Sequence, residues 1–298
     1  MMWILVALIG PMLHALSSII DNYFTGTIFK NAWVQIFYVT FFWILFLPFT
    51  FFVGMPSVPP LNLFPFLFLI GFIQVVYAYP YLMALRHEDT SVVNSLFSLG
   101  KIFIPVLAFF FLGEKLHGFQ YLGFILIIGS SAFLSFVDRV TFRLNKSFAY
   151  MLLCSLLLAI DSVIYKGLFA EMSWSTAFFW SNIFSFLVTF IILIFFPKIR
   201  REVVAERSLF KKHFWLLGWN EILVFSGTVA TTLAISLAPA LTLMKSIESL
   251  QPLFVLLYAI VLRKFYPQLF HERIDRHSTF KKVILFGVMI GGVALVLR

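Results

Sequence analysis

The sequence predicts an all-α integral membrane protein, with ten transmembrane helices arranged as two inverted five-helix repeats. Three observations lead there. Apolar residues make up 61% of the 298-residue chain and charged residues 12%, against about 45–50% and about 25% in soluble domains. The stretches Asn31–Val53 and Leu61–Leu85 hold no charged residue and show no strict alternation, so helical hydrogen bonds must satisfy their backbone inside hydrocarbon. Short motifs also recur at offsets of about 144 to 162 residues, which marks an internal duplication.

Uncharged runs near twenty residues, the length that crosses a bilayer core, place spans at about 2–20, 31–53, 61–85, 90–112 and 118–137 in the first half. The second half gives about 147–167, 172–196, 214–237, 240–262 and 280–297. The first run is apolar like a signal peptide. It lacks a basic n-region and a small-x-small cleavage site, so it reads as a mature span. Connections are short apart from about 197–213 and 263–279, and the two repeats occupy 1–138 and 147–298. With Cys154 as the sole cysteine, an internal disulfide and a cysteine metal cluster are excluded, and the redox compartment stays open. The formal charge of +9 sits in short gaps between apolar runs, which argues for orientation in a bilayer and against nucleic acid.

The duplication is visible in three helices. Ala15-Leu-Ser-Ser-Ile-Ile matches Ala159-Ile-Asp-Ser-Val-Ile, Asn94-Ser-Leu-Phe-Ser-Leu99 matches Lys245-Ser-Ile-Glu-Ser-Leu250, and Ile128-Gly-Ser-Ser-Ala-Phe-Leu134 matches Ile290-Gly-Gly-Val-Ala-Leu-Val296. Five helices is an odd number, so tandem copies enter the membrane from opposite sides. Loop charge agrees: the five gaps after odd-numbered spans hold 17 Lys and Arg, while the even-numbered gaps and both termini hold 3 (Lys115, Lys166, Arg298). The positive-inside rule then puts both termini outside.

The run Asn94-Ser-Leu-Phe-Ser-Leu-Gly, the turn Leu112-Gly-Glu-Lys-Leu and the run Leu122-Gly-Phe-Ile-Leu-Ile-Ile-Gly129 resemble the fourth helix, following turn and fifth helix of EamA-like members of the drug/metabolite transporter superfamily. The resemblance extends over both halves. It departs at Lys101, where the first-half proline is expected although Pro252 is kept in the second half, and at Leu262-Arg-Lys, which stands where Leu-Gly-Glu would. It implies a multi-pass protein of the bacterial inner (cytoplasmic) membrane that moves a small molecule. Many such relatives have cytoplasmic termini, at odds with the loop charge.

Charges inside spans cost roughly 2.5–3.5 kcal/mol on insertion scales, so each calls for a reading. Lys101 is central in its span and shares a face with Ser91, Asn94, Ser95 and Ser98. The ninth span repeats the stripe with Thr242, Lys245, Ser246, Ser249 and Pro252, with Glu248 beside it. Two such stripes point to a shared aqueous cavity; interhelical hydrogen bonding is the plainer alternative for each hydroxyl. His14, Ser17, Ser18 and Asp21 share one face of the first span, and Asp161, Ser162, Tyr165 and Lys166 share the equivalent one. Asp161 is too deep to snorkel and needs a cation, a proton or a static lysine partner. Asp21 and Lys166, near helix ends, read as interfacial. Glu221 lies beside Asn220, ahead of Ser226, Thr228, Thr231 and Thr232, and is a further cavity candidate. Gln74, Tyr77 and Tyr81 share a face that Pro80 can open, and aromatic faces hold organic cations. Trp33, Trp43, Trp174 and Trp180 read as interface or packing residues. Gly287-Val-Met-Ile-Gly291 is a small-xxx-small pattern, read as packing within the monomer.

The leading function is a secondary transporter, an exporter or exchanger, for a small polar or zwitterionic metabolite such as an amino acid or amine. The expected substrate-binding set is Lys101, Asp161, Asn94, Ser98, Ser249, Tyr77, Tyr81 and Glu221, and the coupling or ion-pair set is Asp161, Lys245 and Glu248. Protons are the candidate coupling ion, no cofactor or metal is expected, and a monomer is favoured over a homodimer. A lipid-carrier flippase or a non-transporting partner subunit is the alternative. A membrane-embedded enzyme is less supported, since G-x-S-x-G, Walker and H-E-x-x-H motifs are missing and His271-Glu-Arg-Ile-Asp-Arg-His277 has no recognised ligand spacing.

Overall fold

The computed structural model describes residues 2–88, 90, 93–94, 96–97, 101–134, 146–263 and 276–297. Ser91, Ser95 and Ser98, and the charged run from His271 to Asp275, fall outside the described residues. Among the described residues every regular element is helical. Six helical segments are long and apolar enough to cross a membrane: Met2–Tyr23, Ala32–Phe52, Leu61–Leu85, Lys146–Glu171, Trp174–Phe195 and Arg207–Leu237.

In chain order, α1 (Met2–Tyr23) runs into a π-turn, and α2 (Ala32–Phe46) is capped by Asn31, whose side chain accepts from Trp33 N at 2.9 Å. That bond satisfies one of the amides a helix start leaves open. Next come α3 (Phe64–Val76) and α4 (Ala78–Leu85), separated at Tyr77, because Pro80 has no N–H for the Val76 carbonyl. α5 (Phe103–Leu112) ends at Gly113, whose φ of 65° suits a residue without Cβ, and α6 (Gly118–Leu134) follows. The second half contributes α7 (Lys146–Glu171), α8 (Trp174–Phe195), α9 (Pro197–Ala205), α10 (Arg207–Leu237), α11 (Leu241–Glu248), α12 (Gln251–Arg263) and α13 (Arg276–Val296).

Two expectations are corrected. Residues 197–213, read as a connection, are helical through α9 and the first turns of α10. A search for uncharged runs cannot detect a helix whose turns lie outside hydrocarbon. Gly287 and Gly291 meet nothing among the described residues where a Cβ would stand, so their pattern makes no close contact with those residues. The close contact uses the neighbouring glycine instead: a Cβ on Gly123 of α6 would lie 2.5 Å from the Gly292 carbonyl of α13.

The most extensive contacts pair α1 with α10, α6 with α13, α3 with α8 and α4 with α7. Each pair joins an element of the first half to one of the second, so the halves interdigitate. Their connections meet in two groups. At one end Asn31 Nδ2 donates to Glu202, Tyr38 Oη donates to the Val203 carbonyl at 2.7 Å, and Arg86 reaches the Phe29 carbonyl at 3.2 Å. At the other end Ser57 N donates to Thr176 Oγ1 at 3.0 Å, and Glu114 accepts from the start of α11. Among the described residues, the gaps after the first, third and seventh spans therefore meet one another, the gap after the second span meets the start of the seventh, and the gap after the fourth meets the start of the ninth.

Candidate functional site

Proline placement shapes the site. Pro105 leaves the Lys101 carbonyl without its i+4 donor, and Ile104 N takes it at 2.9 Å in a tighter i+3 bond. Pro252 does the same to Glu248, and the backbone tightens there through Ser249 N on Ser246 O at 3.2 Å and Leu250 N on Ile247 O at 3.0 Å. Lys101 and Glu248 thus both sit at helix interruptions, and both face a cavity of about 260 Å³ enclosed by elements of both halves.

One wall is an ion cluster. Glu248 Oε2 lies 2.7 Å from Lys245 Nζ and Oε1 lies 3.3 Å from Lys101 Nζ. Both lysines are buried, which their shared carboxylate makes tolerable, because a buried charge needs a partner. His14 of α1 lines the same cavity.

Asp161 of α7 lines the cavity as well, and its Oδ1 has no hydrogen-bond partner among the described residues. None of those residues places a Lys or Arg nitrogen within 4.0 Å of it, so the static salt bridge weighed for it is not formed.

A second polar cluster joins α1 to α10. Asn220 Nδ2 donates to Asp21 Oδ1 at 2.8 Å and to Glu221 Oε1 at 3.3 Å. Tyr81 Oη donates to Asp21 Oδ2 at 3.3 Å, and Trp43 Nε1 to Glu221 Oε2 at 3.0 Å. Asp21 and Trp43 both line the cavity. Lys166 is elsewhere again: its Nζ caps α10 by donating to the Ile235 carbonyl at 3.0 Å and the Ala238 carbonyl at 2.5 Å. A cation at a helix C-terminus also meets the favourable end of the dipole.

Of the expected site residues, Lys101, Asp161, Tyr77, Tyr81, Glu221, Lys245 and Glu248 all line the cavity. Asn94 stands behind the wall, accepting from Gln251 Nε2 at 2.5 Å and donating to Ser18 Oγ at 3.0 Å. Ser249 Oγ donates to the Lys245 carbonyl at 2.9 Å on its own helix, as Ser246 and Ser162 do on theirs. In those bonds the hydroxyls do not bridge helices, and of the three only Ser162 is in the cavity lining. Ser98 lies outside the described residues. Gln35 and Asn182, which line the cavity, are absent from the expected set; each is the one amide within its uncharged helix, α2 or α8, and that isolation is the available signal.

The model of the EamA-like transporter family matches residues 1–136. No curated protein matches the chain. Among solved structures 28 chains match; one, described as "Crystal structure of protein", covers 98% of this chain and 98% of its own, with a TM-score of 0.63 and 14% identity. That likeness establishes a shared fold and no more. Multiple apolar helices mark the chain as a multi-pass membrane protein, and its residues 1–136 are similar to the EamA-like transporter family.

Proposed function

We propose that the protein is a secondary transporter, an exporter or exchanger, of a small polar or zwitterionic metabolite such as an amino acid or amine. It works by alternating access between two inverted five-helix repeats of a ten-helix fold in the bacterial inner membrane, as a monomer with both termini outside. The observation that carries this reading is the charged cavity, about 260 Å³, walled by residues of both halves. Its volume lies just under the roughly 300–1,000 Å³ of drug-sized sites, which suits a small metabolite. The meeting of the gaps after the first, third and seventh spans supports the ten-crossing topology, and so does the pairing of first-half with second-half helices.

In this reading the substrate's anionic group competes with Glu248 for Lys101. Lys245 keeps Glu248 neutralised while Lys101 is engaged, so the exchange strands no buried charge. Asp161 takes up and releases a proton, and no cofactor takes part. Counterflow uptake of radiolabelled amino acids and amines into liposomes holding the purified protein tests the function. Accumulation of at least one, lost on Lys101→Ala, supports it. A panel with no uptake above empty liposomes overturns it.

A further inference from the structure

Formal charge in the cavity is unbalanced. Among the described residues its lining holds the carboxylates of Asp21, Asp161, Glu221 and Glu248 but the ammonium groups of Lys101 and Lys245 only. Both lysines are engaged with Glu248. Asp21 and Glu221 therefore have no ammonium or guanidinium within 4.0 Å among the described residues, although α1 and α10 bring them onto one amide nitrogen of Asn220.

Each of their four oxygens accepts one hydrogen bond, from Asn220, Tyr81 or Trp43. A carboxylate has about four acceptor positions, so roughly half of the pair's capacity is left for a ligand. Asn220 is fully buried, and its Oδ1 is a buried acceptor with no partner among the described residues. An unmet buried acceptor costs about 1–3 kcal/mol. Asn220 stands behind the cavity lining and holds the two carboxylates in place, and a ligand carrying N–H donors and positive charge supplies what those carboxylates lack.

The neighbours indicate the kind of cation. An inorganic cation requires oxygens around it, about six for magnesium or more for calcium, whereas here the carboxylates are flanked by N–H and O–H donors. Trp43, Tyr77 and Tyr81 line the cavity beside them, and aromatic faces attract organic cations. We propose that Asp21 and Glu221, joined through Asn220 beside Trp43 and Tyr81, form a binding subsite for an organic ammonium group, opposite in charge to the Lys101–Lys245 wall. The inference rests on the cavity being the substrate site, and it assigns the amine end of that substrate.

Isothermal titration of the full chain in nanodiscs with 2-phenylethylamine tests it, with 2-phenylethanol as the uncharged analogue and sodium chloride as the inorganic cation. The amine binds and the alcohol does not; Asp21→Asn and Glu221→Gln each weaken amine binding by at least about tenfold. In wild-type protein the amine also protects Asp21 and Glu221 from a hydrophobic carbodiimide, scored by mass spectrometry, so the test does not depend on the variants folding. Unchanged amine affinity in both variants overturns the assignment, and so do lack of protection and carboxylate-dependent binding of sodium in place of the amine. Carboxylate-dependent amine binding without uptake in liposomes sinks the transport reading and keeps this one. Uptake of another solute, indifferent to both variants, does the reverse.

Discussion

Lys101 Nζ lies 3.3 Å from Glu248 Oε1 although the two residues stand in opposite halves of the chain. Because Lys245 holds the other oxygen at 2.7 Å, loss of either lysine leaves an ion pair intact. Loss of the carboxylate leaves two buried ammonium groups unmatched.

Lys101→Ala should therefore abolish uptake while folded yield stays close to wild type. Glu248→Gln should lower stability by about 3–5 kcal/mol, the cost of breaking a buried pair from one side, visible as a large drop in the thermal midpoint of purified protein. Lys101→Arg separates a generic charge from a fitted one, since a planar fork does not fill an ammonium's place without rearrangement. A Lys101→Ala protein that transports normally would remove Lys101 from the site.

Glu114 is expected to matter for stability and not for transport. Its carboxylate accepts from Leu241 N at 2.5 Å, Thr242 N at 3.2 Å and Thr242 Oγ1 at 3.0 Å, capping α11 from the other half of the chain. Glu114→Ala should cost about 1–2 kcal/mol, as lost caps do. The check is the thermal midpoint in detergent, with uptake per folded molecule unchanged.

The Leu112-Gly-Glu-Lys-Leu turn was legible as a motif, yet its task of capping a helix more than a hundred residues away was not, because no local pattern encodes a tertiary partner. The same division runs through the site. Lys101 and Asp161 stood out in sequence because charges inside apolar runs are costly. Asp21 reads from sequence only as a helix-end residue, because what brings it to the cavity is the packing of α1 against α10, a tertiary contact that no local pattern encodes. The partners of Lys166, the Ile235 and Ala238 carbonyls, are not legible in sequence, because they are backbone atoms that every sequence possesses.

Gly123→Ala should destabilise the protein while Gly287→Ala should not. The added Cβ at 123 would stand 2.5 Å from the Gly292 carbonyl and 2.9 Å from Leu295 Cβ, backbone and near-backbone atoms that cannot swing away. Overpacking of this kind costs about 1–3 kcal/mol. Equal thermal midpoints for the two variants would show that α6 and α13 separate more easily than this packing implies.

Orientation can be read with single cysteines, because Cys154 is buried. Lys198→Cys lies in a lysine- and arginine-rich gap and Ser57→Cys in one without any. If the basic gaps are cytoplasmic, a membrane-impermeant maleimide added to intact cells should label the cysteine at 57 and spare the one at 198. The opposite pattern would place both termini inside.

Asp161, not Glu248, is expected to be the carboxylate that exchanges a proton during transport. Neutralising Glu248 would strand Lys101 and Lys245 without their shared counter-charge, an expensive state in a buried site. Asp161 has no such obligation: it lines the cavity, and its Oδ1 has no hydrogen-bond partner among the described residues. It can therefore gain or lose a proton without breaking an ion pair. Asp161→Asn should accordingly remove the dependence of substrate accumulation on a pH gradient, while exchange of internal for external substrate, which needs no net proton movement, continues. Both rates can be measured on the same liposomes with and without an imposed gradient. Should Asp161→Asn retain the wild-type pH dependence while Glu248→Gln loses it, the two carboxylates have exchanged roles, and the Lys101–Glu248–Lys245 cluster becomes the moving part.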